Sequence, residues 1–279
     1  MMSNPLQTFY GLKFNPFNPE LPTSALILPQ KTEHFCWRIK ESLIHEGGFA
    51  LITGEPGTGK SVTLRALAAQ LSERRDTHIA VLTHTTANLS DFYRELGDLF
   101  GVVLQFNSRW NGFKQLRERW LAHIDSTLLR PILLIDEAQE MPANVLNELR
   151  LLSSLQFDSK VLLTTILAGD LRLTEKLKLS ELIPLGSRIR VRLHLDYASV
   201  EQLASSLRHL LFEAGNPALM TTELINALAE HAMGNYRALC VLSNELLNTA
   251  FMRELPQLDE KLFFECFSPH TSIKPKNRR

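Results

Sequence analysis

Apolar residues recur along this chain with two different periods, and the points where the period changes mark out its elements. After Lys31, the residues Phe35, Ile39 and Leu43 repeat at helical spacing until Gly47 and Gly48 stop the pattern. Residues 49–53 then form a short unbroken apolar run. From 61 to 72 the helical period resumes, with Leu64, Leu67, Ala68 and Leu71 on one face. Three more apolar runs of strand length follow, at 78–83, 131–136 and 160–168, with helix-compatible sequence between them. Continuous apolar strands alternating with helices predict a parallel sheet covered by helices on both faces. Residues 188–195 differ, because charged and apolar positions alternate there as they do in a half-buried last strand.

Past Asp196 only helical patterns remain, at 200–214, 222–231 and 237–251. The change predicts an α/β domain over 31–196 and a small all-α domain over 197–267. Residues 1–30 precede them as an extended strap, held open by Pro5, Pro16, Pro19, Pro22 and Pro29 and anchored by Phe9, Tyr10, Phe14 and Phe17. Residues 268–279 form a basic tail expected to be disordered.

Composition narrows the picture only a little. A chain of 279 residues accommodates one medium and one small domain, and 44% hydrophobic with 22% charged residues is ordinary globular usage. A formal net charge of +0 argues against coating nucleic acid by bulk charge and leaves local basic patches open. Cys36, Cys240 and Cys266 are scattered and odd in number, which speaks against both a disulfide framework and a zinc site. The first residues lack the pattern of a signal peptide, and no window approaches 18 consecutive apolar residues. No membrane span and a cytoplasmic location are expected.

The chemistry concentrates after the first strand. Gly54-Glu55-Pro56-Gly57-Thr58-Gly59-Lys60-Ser61 satisfies every fixed position of G-x-x-x-x-G-K-[ST], between a strand and a helix. Glycines let successive backbone N–H groups turn toward phosphate oxygens, and the following helix points its positive end at the same place. Lys60 then reaches the β- and γ-phosphates and Ser61 binds Mg²⁺, with Val62 completing the nucleotide-binding set. The run 132–137 ends in Asp136 and Glu137. Two carboxylates at the C-terminal edge of a buried strand either cap a helix or work at the ligand edge of the sheet, Asp136 on Mg²⁺ and Glu137 on the hydrolytic water. The phosphate loop decides for the second. ATP and Mg²⁺ are the expected cofactors.

Three features carry a family resemblance: the phosphate loop, the run Asp136-Glu137-Ala138-Gln139, and Leu146-Asn147-Glu148-Leu149-Arg150-Leu151-Leu152-Ser153. With Phe9-Tyr10-Gly11-Leu12 and Asn15-Pro16-Phe17, they resemble AAA+ ATPases of the ExeA-like group. That group takes in the secretion-pathway ATPase of the ExeA type and DNA-transposition helpers of the TniB, TnsC and MuB kind. The resemblance implies an AAA+ parallel sheet followed by a helical lid domain. It also implies a sensor at Asp170, an arginine finger at Arg188 offered to a neighbouring subunit, and a γ-phosphate sensor at Arg237, where Tyr236 replaces the proline of the family pattern. Each has a plainer alternative: a helix cap for Asp170, a solvated strand residue for Arg188, a surface residue for Arg237. The aromatic strap either seals a core or closes over adenine. Arg109 and Lys114, among Trp110, Phe113, Arg117, Arg119 and Trp120, either meet nucleic acid or belong to an amphipathic helix.

For the role of the ATP cycle, the resemblance implies a transposition helper first. ATP-bound subunits would assemble as a hexameric ring or helical filament on double-stranded DNA without strong sequence preference, and recruit a transposase, with a targeting protein as a further partner. Absence of a membrane segment or C-terminal extension, and the basic residues Lys274, Lys276, Arg278 and Arg279, favour that reading over a secretion-type ATPase. A signalling or defence ATPase with a protein client is the third reading.

Overall fold

A computed structural model describes residues 5–103, 109–155 and 160–267, so the basic tail lies outside the described residues. The chain divides into two compact units, 28–196 and 1–27 with 197–279. The first is built on five strands: β1 (Gly48–Gly54), β2 (Thr77–Leu82), β3 (Arg130–Ile135), β4 (Thr164–Gly169) and β5 (Ile189–Leu195). They pair in parallel in the order β2-β3-β4-β1-β5.

Alternate residues of the central strands feed two separate cores, as a sheet covered on both faces requires. On one face Phe49, Leu51, Leu133 and Ile135 pack with Phe92, Leu96, Leu116, Trp120, Leu146 and Leu149. On the other, Ala50, Ile52, Ile132 and Leu134 pack with Phe35, Ile39, Leu43, Leu64, Leu67 and Leu71. Helices before residue 197 include, in chain order, α1 (Pro5–Tyr10), which belongs to the second unit, and α2 (Gln30–Arg38), α3 (Lys60–Ser72), α4 (Leu89–Phe100), α5 (Arg109–Ala122), α6 (Ala143–Ser153), α7 (Leu171–Lys176) and α8 (Ile183–Gly186). The edge strand β5 alternates buried and exposed residues, with Arg190, Arg192 and His194 outward.

The run 160–168, read as one strand from its unbroken apolarity, is two pieces. Lys160–Val161 pairs antiparallel with Ser154–Leu155, and the Leu162 N–H donates to Ser153 O at 2.7 Å. Only from Thr164 does the chain enter the parallel sheet. Apolar periodicity cannot separate the two, because Leu162 and Leu163 are themselves buried at the corner.

A buried charge ties α4, α5 and α6 together. Glu148, 2% exposed at its side chain, accepts from the Tyr93 hydroxyl at 2.5 Å and pairs with the Arg109 guanidinium through both Nε and Nη2. Such a carboxylate is tolerated only because its oxygens are satisfied by charge-assisted partners. Burial, reinforced by Glu148, pushes the Tyr93 phenol well above its ordinary range.

The second unit is helical: α9 (Val200–Glu213), α10 (Thr222–His231), α11 (Tyr236–Met252) and α12 (Glu260–Phe267). Ser199 and Gln202 form a capping box on α9, and Thr221 and Asn235 cap the next two helices. The strap does not stand apart from this unit. Leu6, Tyr10, Leu12 and Phe17 are buried in its core, the Tyr10 hydroxyl donates to Leu255 O at 3.0 Å, and Asn15 donates to Asn244 at 2.9 Å. Phe9 stacks edge-on against Tyr10 and Phe251. The two compact units divide after Ile27. No helix among the described residues is long and apolar enough to cross a membrane.

Leu67, on α3, is fully buried in the core between that helix and the sheet. Leu67→Ala is expected to cost about 2–5 kcal/mol of stability through lost burial and a residual cavity. Urea unfolding followed by circular dichroism measures it; a loss below about 1 kcal/mol would mean that the α3–sheet contact does not carry that weight.

Candidate functional site

The register of the sheet brings four chain segments to one edge. Thr53 pairs with Gly169 and Gly54 with Leu195, while Ile135 pairs with Leu167 two residues before the end of β4. Parallel strands all present their carboxyl ends on the same side, so the turns after β1, β3 and β4 open together.

The turn after β1 is built by its glycines. Gly57 and Gly59 take φ values of +84° and +101°, which bulky side chains disfavour. Gly54 has a different reason: a Cβ there would lie 2.6 Å from both Leu195 O and Thr58 Oγ1. Thr58 closes the loop by donating to Glu55 O at 2.8 Å. Gly59 is the N-cap of α3, so Lys60 and Ser61 begin the helix, and Val62 lies in its first turn. The first N–H groups of a helix have no intrahelical acceptor and attract anions. Lys60 is buried, and its ammonium donates to Gly54 O at 2.9 Å and Glu55 O at 3.1 Å, lying across the loop that it follows. Glu55 and Gly57 are half-buried and Pro56 is exposed.

Beyond β3 the chain turns sharply. Glu137 is a non-glycine residue at φ +51°, a conformation that costs roughly 1–2 kcal/mol and clusters at functional sites. Its N–H donates to the Asp136 carboxylate at 2.9 Å. Asp136 is half-buried and Glu137 exposed, so the second carboxylate faces solvent at the ligand edge. The hydroxyl of Ser61 and the carboxylate of Asp136 are hard oxygen donors of the kind Mg²⁺ takes while keeping several waters. They fit that ion.

Asp170 follows β4 as the N-cap of α7, its carboxylate accepting from Arg172 N–H and Nε, both at 2.8 Å. Arg172 also donates to Glu140 at 2.8 Å, and the two carboxylates raise its already high pKa further. The Asp170 charge is therefore matched by a guanidinium beside it. Two residues that sequence reasoning passed over belong to this group. One is Arg172. The other is Gln139, buried, which donates to Glu137 Oε2 at 2.5 Å and accepts from Asp170 N at 3.2 Å. Its only sequence signal was its place in the run 136–139, where an amide two residues past an acid has no pattern of its own.

The other candidates stand elsewhere. Arg188, half-buried, donates to Pro184 O at 2.8 Å just before β5. Ile189 pairs with Phe49 at the start of β1 while Gly54 pairs with Leu195, so Arg188 lies at the sheet edge opposite its own phosphate loop, roughly 20 Å away at about 3.3 Å per residue. Arg237 is exposed in the first turn of α11, in the helical unit, where Asn235 caps its N–H at 2.9 Å. Arg109 is held by Glu148 and Lys114 lies 3.8 Å from Glu118, on a helix whose Trp120 is buried and whose Trp110 is 68% exposed and stacked on Phe113. Arg117 sits 4.8 Å above the same Phe113 ring.

The AAA domain family matches residues 43–177. General secretion pathway protein A of Aeromonas hydrophila is 30% identical over 249 residues, covering 88% of this chain and 45% of that protein. The chain thus spans less than half the length of that relative. Among solved structures, Cdc6p of Pyrobaculum aerophilum superposes with a TM-score of 0.71 at 16% identity, over 87% of this chain and 67% of that one. ORC1 of Aeropyrum pernix, solved in complex with DNA, gives 0.69 at 19% identity, over 90% and 67%. At such identities these likenesses show the fold. Residues 43–177 thus match the AAA domain family, and the chain has the AAA+ fold and is similar to General secretion pathway protein A.

Proposed function

We propose that this ATPase is a DNA-transposition regulator: it assembles with ATP on duplex target DNA, recruits or activates a transposase, and disassembles on hydrolysis. The nucleotide chemistry rests on one observation, that the helix-opening phosphate loop and the acidic turn after β3 share one sheet edge. Lys60 and the loop N–H groups hold the phosphates. Mg²⁺ on Ser61 and Asp136 supplies charge neutralisation when bound. Glu137 takes the proton of the attacking water as that water bonds to the γ-phosphorus and the bond to the leaving ADP oxygen breaks.

Arg188 belongs to a neighbouring copy's site in this reading. Its place at the opposite sheet edge supports that, since an arginine roughly 20 Å away along the strands cannot reach ATP in its own chain. Hydrolysis then depends on a homo-oligomer, a hexameric ring or a helical filament. Arg237, from the helical unit, acts as the γ-phosphate sensor, and Asp170, its charge offset by Arg172, as the sensor at the end of β4.

Duplex binding draws its support from α5, where the exposed Trp110 stacks on Phe113 with Arg109, Lys114 and Arg117 alongside. Two of the similar structures were solved with DNA, of Aeropyrum pernix ORC1 and Drosophila ORC. Binding through such groups is directed at the phosphate backbone, so it lacks sequence preference and falls steeply with salt. The protein works in the cytoplasm in this reading. A second reading, an ATPase serving a secretion pathway, is favoured by the identity with General secretion pathway protein A.

Three measurements test these assignments. Lys60→Ala is expected to lose nucleotide binding by more than 10-fold in a titration with a fluorescent ATP analogue; unchanged affinity refutes its role. Glu137→Gln is expected to bind ATP, stop turning over and accumulate on random-sequence duplex in a salt-sensitive, ATP-dependent way. Oligomerisation with ATP but no duplex binding would overturn the DNA reading and favour a protein client. Arg188→Ala is expected to bind ATP normally without hydrolysing it, and mixing it with Lys60→Ala subunits should restore part of the turnover. No recovery in the mixture rules out a finger supplied in trans.

A further inference from the structure

The side chain of Gln139 lies between the two acidic segments of the site and is paired at both ends. Its carbonyl Oε1 accepts from the Asp170 N–H at 3.2 Å, and its amide Nε2 donates to Glu137 Oε2 at 2.5 Å. The amide cannot be turned the other way. A backbone N–H requires an acceptor and an ionised carboxylate requires a donor, so both neighbours fix the same orientation. Glutamine alone suits the place: glutamate has no donor for Glu137, asparagine is a methylene shorter, and methionine satisfies neither partner.

The surroundings hold this amide firmly. Gln139 is 6% exposed. Its backbone carbonyl and that of Met141 accept from Lys176 Nζ, at 2.8 Å and 2.5 Å, which pins the single turn Ala138–Glu140 to α7. A Cβ at Gly169 would approach Gln139 Oε1 to 2.5 Å, so the last residue of β4 must be glycine for the amide to lie where it does. Glu137, by contrast, is exposed, and among the described residues the hydrogen bond to its carboxylate comes from Gln139 Nε2. Its orientation comes from Gln139.

We propose that Gln139 is the positioning residue for the base: its carboxamide links the Glu137 carboxylate to the backbone of Asp170, so the end of β4 dictates where the base points. This rests on the reading of Glu137 as the group that activates water. It also gives the β4 segment a direct line to the chemistry, because any shift of the Asp170 peptide moves Gln139 and with it Glu137. A misplacement of about 1 Å at a base costs up to roughly 10²-fold in rate.

Two variants separate positioning from support. Gln139→Glu keeps the acceptor for the Asp170 N–H and loses the donor to Glu137. Gln139→Leu removes both bonds at similar volume. Both are expected to lower kcat about 10- to 100-fold with ATP affinity within about twofold of the parent protein, as equilibrium binding of a fluorescent ATP analogue would report. In the Glu137→Gln background, Gln139→Leu is expected to lower the residual rate no further, since the two side chains act as one unit. A kcat for Gln139→Glu within twofold of the parent at unchanged ATP affinity would overturn the proposal, and so would full additivity of the double variant. Should Gln139→Leu fold poorly, Gly169→Ala displaces the same amide from its other side and is expected to give the same split between kcat and binding. Failure of the underlying reading looks different: Glu137→Gln would itself keep the parent turnover.

Discussion

Parallel pairing of β1 between β4 and β5 is the constraint on which the site depends. The register that sets Thr53 against Gly169 and Gly54 against Leu195 ends three strands at one level, and the turns that follow them have no choice but to open side by side. That register is held by burial. Ala50 and Ile52 face one core and Phe49 and Leu51 the other, so a slip of one residue would exchange the two sets and leave neither packed. The tightness of the arrangement shows at Gly54, where even a methyl group would strike the backbone oxygen of the neighbouring strand.

On that frame, charge is distributed by pairing rather than by excess. Asp136 accepts the N–H of Glu137, Asp170 is matched by Arg172, and Arg172 reaches on to Glu140. A phosphate approaching this edge therefore meets the loop N–H groups and Lys60 as the dominant positive features, with the acid after β4 already compensated. Glu148, the one deeply buried carboxylate among the described residues, does different work. It binds α4 and the start of α5, where Trp110 stacks on Phe113, to α6, the helix that follows the acidic turn. Arg109 is engaged in that link.

The helical unit illustrates how an extended segment can be absorbed. Proline keeps residues 12–22 from forming long regular structure, yet Leu12 and Phe17 are buried in the same core as the helices' own leucines. Aromatic anchors far in sequence from a helical domain can complete its core when the domain is too small to bury its apolar faces by itself.

How much of this was legible beforehand follows from which interactions are local. The phosphate loop, the strand before it and the helix after it, the acidic pair and the alternation of β5 were readable because each depends on residue type at fixed short spacing, and Gly57 and Gly59 take their positive φ from that local pattern. The break within 160–168 was not readable, since a buried corner and a buried strand have the same apolar content. Nor was the place of Gln139 between Glu137 and Asp170, the second 31 residues away. The strap's destination and the pairing of Arg109 with Glu148 have the same cause. By itself the sequence determined the parallel sheet and the residues that its phosphate loop and acidic turn carry. Only the tertiary structure decided which polar side chains meet there, because hydrogen-bond partners distant in sequence are chosen by the strand order and register, and no local pattern records that choice.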